Sequence, residues 1–118
     1  SMERAIPVLR IDNYEKAKSY YLEFLGFELE FEWRHADGLP VYMGVKRGAL
    51  VLHLTEHRGD ADGPGAAYLQ VENVRLLHLE LQQRGSSDEP IDQAWGSTEL
   101  KLVDPFGNKL TFTSPTLK

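Results

Sequence analysis

The chain has 118 residues, 42% hydrophobic and 26% charged, which fits one soluble globular unit and excludes a disordered chain or a coiled coil. No apolar run nears the ~18 residues of a membrane span, and the lack of cysteine removes disulfides, thiol nucleophiles and thiolate metal sites. A net charge of −5 opposes a nucleic-acid partner and favours a cationic small molecule. Ser1, ahead of Met2, is set aside as a remnant. The charged start Met2-Glu3-Arg4 does not read as a signal peptide, so the expected location is the cytoplasm, with no membrane partner.

Ala5 to Ile11 is apolar and β-rich and predicts a strand, with Pro7 near its start, where a missing donor is tolerated. Asp12 or Asn13 can cap a helix whose Tyr14, Ala17, Lys18, Tyr21, Phe24 and Leu25 share one face, and Gly26 ends it. Three strand-like runs follow, Phe27 to Trp33, Leu39 to Val45 and Ala49 to Thr55, separated by His35-Ala36-Asp37-Gly38 and Lys46-Arg47-Gly48. By alternation, Phe27, Leu29, Phe31 and Trp33 form one row on the first of these strands. Gly59 to Gly65 is a hinge. Ala66 to Val71 is again a strand, and Glu72-Asn73 can open a second helix with Val74, Leu77, His78 and Leu81 on one face and Gly85 as its stop. A polar stretch from Ser86 to Asp92 leads to strands at Glu99 to Val103 and Lys109 to Thr113, joined by the turn Asp104-Pro105-Phe106-Gly107.

The chain reads as the order β-α-β-β-β written twice, in module one (4–58) and module two (66–114), with two of the second module's three closing strands marked by their residues, and with the hinge (59–65) between the modules within one domain spanning 1–118. Each half has a single amphipathic helix, too little to stand alone, so the sheets must share a core or pair with another chain. The expected class is α+β, with two βαβββ modules forming curved mixed sheets around a shared cavity.

This doubled pattern resembles the vicinal oxygen chelate superfamily of glyoxalases, extradiol dioxygenases and bleomycin-resistance proteins. The resemblance lies in Asn13 to Tyr21 followed by Leu25-Gly26-Phe27, in Leu50-Val51-Leu52-His53-Leu54, and in Val103-Asp104-Pro105-Phe106-Gly107-Asn108. It covers nearly the whole chain. In the enzymes of that superfamily a divalent metal is held by inward side chains of both halves, and the resemblance puts the corresponding slots at Ile6, His53, Ala66 and Thr111. Ile and Ala have no lone pair to offer and Thr is a poor ligand, so this donor set implies no resident metal or other cofactor and no catalytic residue.

The metal-free bleomycin-resistance branch is the nearer likeness, through Pro7-Val8-Leu9 and through Trp95-Gly96 ahead of the Asp104 turn. It implies antibiotic resistance by sequestration, with a cationic, flat-ringed drug held at a cleft between the chains of a strand-exchanged homodimer. Such a ligand wants aromatic faces and carboxylates. The ligand-binding candidates are Trp95, Trp33, Tyr42, Phe31 and His53, with Glu99, Asp60 and Asp62 for charge. Two alternatives stay open. One is a metal-dependent glyoxalase, lyase or dioxygenase using His53 with further carboxylates or histidines, Glu99 first among them. The other is a module for an unrelated metabolite, since Arg34-His35-Ala36-Asp37-Gly38 differs from the acidic, aromatic drug-binding loop of the best-matching members. His53 and His57, four apart on one strand, would stand roughly 13 Å from each other, too far to share an ion. His35 and His78 read as surface or packing residues.

Overall fold

The computed structural model describes residues 2–117, so Ser1 lies outside the described residues. Strand β1 (Val8–Arg10) leads through Asn13, whose side chain caps the next helix by accepting from Lys16 N at 2.9 Å. Helix α1 (Tyr14–Lys18) widens into a π-helical segment at Ser19–Phe24, with Leu25 N donating to Tyr20 O at 2.8 Å. Then come β2 (Glu28–Trp33), β3 (Tyr42–Arg47) and β4 (Leu50–Thr55). The second unit repeats this order as β5 (Ala66–Gln70), α2 (Val74–Gln82), β6 (Ile91–Asp92), β7 (Ser97–Val103) and β8 (Lys109–Pro115). Asn73 caps α2 as Asn13 caps α1.

The strands form two four-stranded sheets, ordered β1-β4-β3-β2 and β5-β8-β7-β6. The pairs β1–β4 and β5–β8 are parallel and the others antiparallel, so both sheets are mixed and the class is α+β, as expected. One face of each sheet is apolar and closed. Leu9, Ile11, Val41, Met43, Val45, Leu52 and Leu54 from the first sheet are buried, as are Ala67, Leu69, Leu100, Leu102, Leu110 and Phe112 from the second. These pack in one cluster with Ala17, Tyr21 and Leu25 of the first helical segment and with Val74, Leu77 and Leu81 of α2. Side chains that point away from this core form a second, open face on each sheet.

The turn after β7 locks the halves together. Buried Asp104 accepts through Oδ1 from Phe106 N (2.9 Å) and Asn108 N (2.8 Å), and through Oδ2 from Asn108 Nδ2 (2.8 Å) and the Tyr21 hydroxyl (2.5 Å). Asn108 also donates to Arg10 O at 2.7 Å and accepts from Gly65 N at 2.8 Å. Burial and the adjacent Asp104 carboxylate push the Tyr21 phenol well above its ordinary value. At the other end Arg47 grips Glu80 through two bonds of 2.7 and 2.8 Å, and Arg84 adds a third at 2.7 Å. Those guanidinium contacts, Arg47 first, hold the Glu80 carboxyl at about 2.

Candidate functional site

The open face of the first sheet carries an aromatic group made possible by a bulge in β2. Leu29 pairs with Val45 but Phe31 pairs with Gly44, so the register shifts between them. Val45 and Gly44 are neighbours and point to opposite faces. Leu29 and Phe31 therefore also point to opposite faces, although they are two residues apart. This corrects the single row expected from alternation. Phe27 is in the core, whereas Phe31 and Trp33, opposite Gly44 and Tyr42, stand on the open face.

Gly44 is the floor beneath Phe31. A Cβ there would sit 2.3 Å from Phe31 Cε2, so only glycine lets the ring lie flat over the strand. Phe31 stacks with Tyr42 at 6.2 Å and 16°, and meets the edge of His53 at 5.2 Å. The Tyr42 hydroxyl and His53 Nδ1 share a hydrogen bond of 2.7 Å. Burial lowers the His53 pKa below its ordinary 6.5 and raises that of Tyr42, with the Asp60 carboxylate adding to the latter. Both shifts favour neutral groups, suited to packing against a flat ring.

Trp33 extends this surface. His35 lies against its ring at 4.3 Å and His57 at 6.5 Å, with the two imidazoles 6.0 Å apart. Trp33, His35, Tyr42, His57 and Asp60 line a cleft of about 290 Å³. His57 is not on a strand with His53, as alternation suggested, because β4 ends at Thr55. The Thr55 hydroxyl accepts from His57 N at 3.0 Å and donates to Asp60 Oδ2 at 2.9 Å, which bends the chain and brings Asp60 to the cleft. Asp62 is elsewhere, exposed and paired with Arg58 at 3.3 Å.

The second sheet presents a different open face. Tyr68 is 57% exposed, and its hydroxyl donates to Glu99 Oε2 at 3.0 Å. Trp95, 70% exposed, sits at the β6–β7 turn, where Gly96 takes a φ of +95° that other residues rarely adopt. Tyr68, Gln70, Trp95, Gly96 and Thr113 help to line a cleft of about 420 Å³.

The residues expected at a site thus fall into two groups. Phe31, Trp33, Tyr42, His53 and Asp60 converge on the first sheet, Trp95 and Glu99 lie on the second, and Asp62 joins neither. Reading the sequence missed His35 and His57 as partners of Trp33, and Tyr68 as the partner of Glu99. For Tyr68 a signal was present, since an aromatic two residues after Ala66 shares its face of the strand. As for the metal slots, His53 has Val8 beside it, with Ile6 two residues earlier, and Thr111 has Tyr68 beside it, with Ala66 two residues earlier. Among the described residues no three His, Asp or Glu side chains come together in a way that could hold an ion.

Two β-α-β-β-β units with mixed sheets and one free face each define a doubled-module α+β protein. Residues 1–116 match the family model described as glyoxalase superfamily protein, and the chain belongs to the glyoxalase superfamily. No curated protein was found to match it. Among solved structures it is similar to a bleomycin-binding protein from bleomycin-producing Streptomyces verticillus, complexed with copper(II)-bleomycin, at 28% identity over 98% of each chain with a TM-score of 0.73. It is also similar to a bleomycin resistance determinant encoded on the transposon Tn5, at 25% identity over 98% of this chain and 100% of that one, with a TM-score of 0.75. A glyoxalase-related enzyme from Clostridium phytofermentans, at 19% identity over 98% and 97% of the chains with a TM-score of 0.76, shares the fold.

Proposed function

We propose that this protein is a metal-free small-molecule binder of the bleomycin-resistance type, which sequesters a cationic, flat-ringed ligand without making or breaking bonds. The observation that carries this reading is the uncovered aromatic face of the first sheet. Phe31 and Trp33 are 41% and 49% exposed, backed by Tyr42 and His53, with the Asp60 carboxylate at one end. Large rings held in order yet left open to water mark a surface awaiting a partner. Stacking on the rings and charge pairing with the carboxylate suit a planar ligand that carries an amine. The similarity to a protein solved with copper(II)-bleomycin supports that class.

Neither open face is covered within one chain, since Tyr68 and Trp95 on the second sheet are exposed as well. We place a second copy over them, in a twofold dimer whose clefts lie between the first sheet of one protomer and the second sheet of its partner. The test is a titration with bleomycin followed by tryptophan fluorescence, alongside sedimentation velocity at micromolar protein. Saturable quenching that is lost in Trp33→Ala, on a species of dimer mass, is the expected result. No binding of bleomycin or of other cationic ring compounds ends the ligand reading, and a monomeric mass ends the shared cleft.

A further inference from the structure

The chain buries two carboxylates very differently. Asp104 takes four donors, as described above. Glu99 is only 6% exposed, yet among the described residues a single neutral group, the Tyr68 hydroxyl, bonds to it. That hydroxyl is also within 3.3 Å of Thr113 Oγ1, so it is shared. Among the described residues no Lys, Arg or His forms an ion pair with Glu99. A carboxylate so nearly enclosed is stabilised by a cation or several donors, and the second oxygen of Glu99, which has no partner among the described residues, is not sealed from solvent and stays open to one. Glu99 is on the open face of β7, because it pairs with Thr113 and Ile91, whereas its neighbour Leu100 pairs with Phe112 in the core. Tyr68 and Thr113, the groups around it, line the 420 Å³ cleft that Trp95 flanks.

We propose that Glu99 is the recognition carboxylate of an organic-cation pocket on the second sheet, built for a primary ammonium or guanidinium group attached to a flat ring. The ring lies against the exposed Trp95 and Tyr68 faces, and the cation reaches the under-satisfied carboxylate beneath them. Aromatic faces and a buried anion together recognise such a group better than either does alone. Tyr68 is a positioning residue, because its hydroxyl fixes the Glu99 carboxylate in the absence of a cation. This deepens the ligand-binding reading above and rests on it. It places one charged end of the ligand, with the ring that bears it, on the second sheet, while Asp60 and the stacking of the remaining rings stay with the first.

The test uses matched probes and the full-length protein. 2-Phenylethylamine and phenylguanidine carry the cation, and 2-phenylethanol has the same ring without it. Titrations are followed by backbone and indole NMR shifts. The wild type is expected to bind the cationic probes about tenfold more tightly than the alcohol, with the largest shifts at Gly96 and the Trp95 indole, as loss of a charge-assisted bond implies. Glu99→Gln keeps the shape and should reduce that preference to within about twofold, while Asp62→Asn, which joins neither open face, should keep it. Equal binding of amine and alcohol by the wild type overturns the proposal, whether or not the Gln variant folds. So does a preference that survives in Glu99→Gln, or shifts centred on Trp33. Bleomycin binding with no amine preference at Gly96 defeats the cation pocket alone. An amine preference at Gly96 without bleomycin binding supports the pocket and defeats the bleomycin-type reading alone.

Discussion

Gly44→Ala separates the role of the aromatic platform from the stability of the sheet beneath it. The new Cβ would lie 2.3, 2.8 and 3.0 Å from Phe31 Cε2, Cδ2 and Cζ. Carbon atoms rest about 3.5–4.0 Å apart, so the ring must withdraw by about 1.2–1.7 Å. Phe31 is 41% exposed, so the way outward is open and the strand need not move. The ring then loses its stack on Tyr42 and its edge contact with His53, worth about 1 kcal/mol together. For a chain of this length that lowers the melting temperature by about 4 °C. Loss of a stacking surface should cost a ring-bearing ligand about 1–2 kcal/mol, a five- to thirtyfold weaker affinity for bleomycin. The assay pairs thermal unfolding with fluorescence titration for Gly44→Ala, Phe31→Ala and the double variant. If the glycine acts only through the ring, the double variant binds no worse than Phe31→Ala. Additive losses, or unchanged affinity in Gly44→Ala, would refute the reasoning. A fall of more than about 10 °C would show that the strand buckles instead.

Other substitutions probe the rest of the frame. Tyr21→Phe removes one of the four donors to Asp104 and should cost about 2 kcal/mol, seen as a drop of about 8 °C in melting temperature with bleomycin affinity unchanged; a drop under about 2 °C would contradict the lock. Glu80, held at about 2 by Arg47 and Arg84, contributes stability that is complete above its unfolded value near 4.5 and lost as pH falls through about 2. The stability gap between wild type and Glu80→Gln should therefore shrink between pH 6 and pH 2 in urea titrations, and a constant gap would sink this assignment. Asp62→Asn should alter neither stability nor ligand affinity, because its pair with Arg58 is solvent-exposed, whereas Asp60→Asn, at the Trp33 cleft, should weaken cationic ligands in the same titration.

Most of the element order was legible because caps and apolar runs are local. The repeated Asn caps, the apolar face of α2 and the β-rich runs that become β3, β4 and β8 all appear in the string of residues, whereas β6, two residues inside the stretch read as polar, does not. The face to which Phe31 and Trp33 belong was not legible. Phe27-Glu28-Leu29-Glu30-Phe31-Glu32-Trp33 alternates without a break, and nothing local marks the register shift after Leu29. The shift arises from pairing with Gly44, a residue far along the chain whose missing side chain lets the Phe31 ring settle. His57 was misplaced for a similar reason, because the bend after Thr55 depends on a hydroxyl shared with Asp60, five residues downstream. Local spacing reports which residues share an element, whereas a bulge and a side-chain-bridged turn are decided by what the element meets.

The same distinction explains why the most recognisable segment says least about the ligand. Asp104 to Asn108 carries the family likeness, yet the Asp104 carboxylate and the Asn108 amide are spent inward, on the turn itself, on Tyr21, on Arg10 and on Gly65. Changing either would leave buried polar groups unpaired in both halves, so the segment is constrained by the fold whatever the protein binds. Phe31, Trp33, Tyr68 and Trp95 face outward, and replacing them alters the open surfaces while leaving the closed core intact. Similarity of fold to a bleomycin-binding protein at 28% identity therefore leaves open which molecule, if any, the outward residues of this chain select. Specificity has to be sought in the residues that the lock does not touch, above all in the contrast between the neutral Tyr42–His53 pair on one sheet and the under-satisfied Glu99 carboxylate on the other.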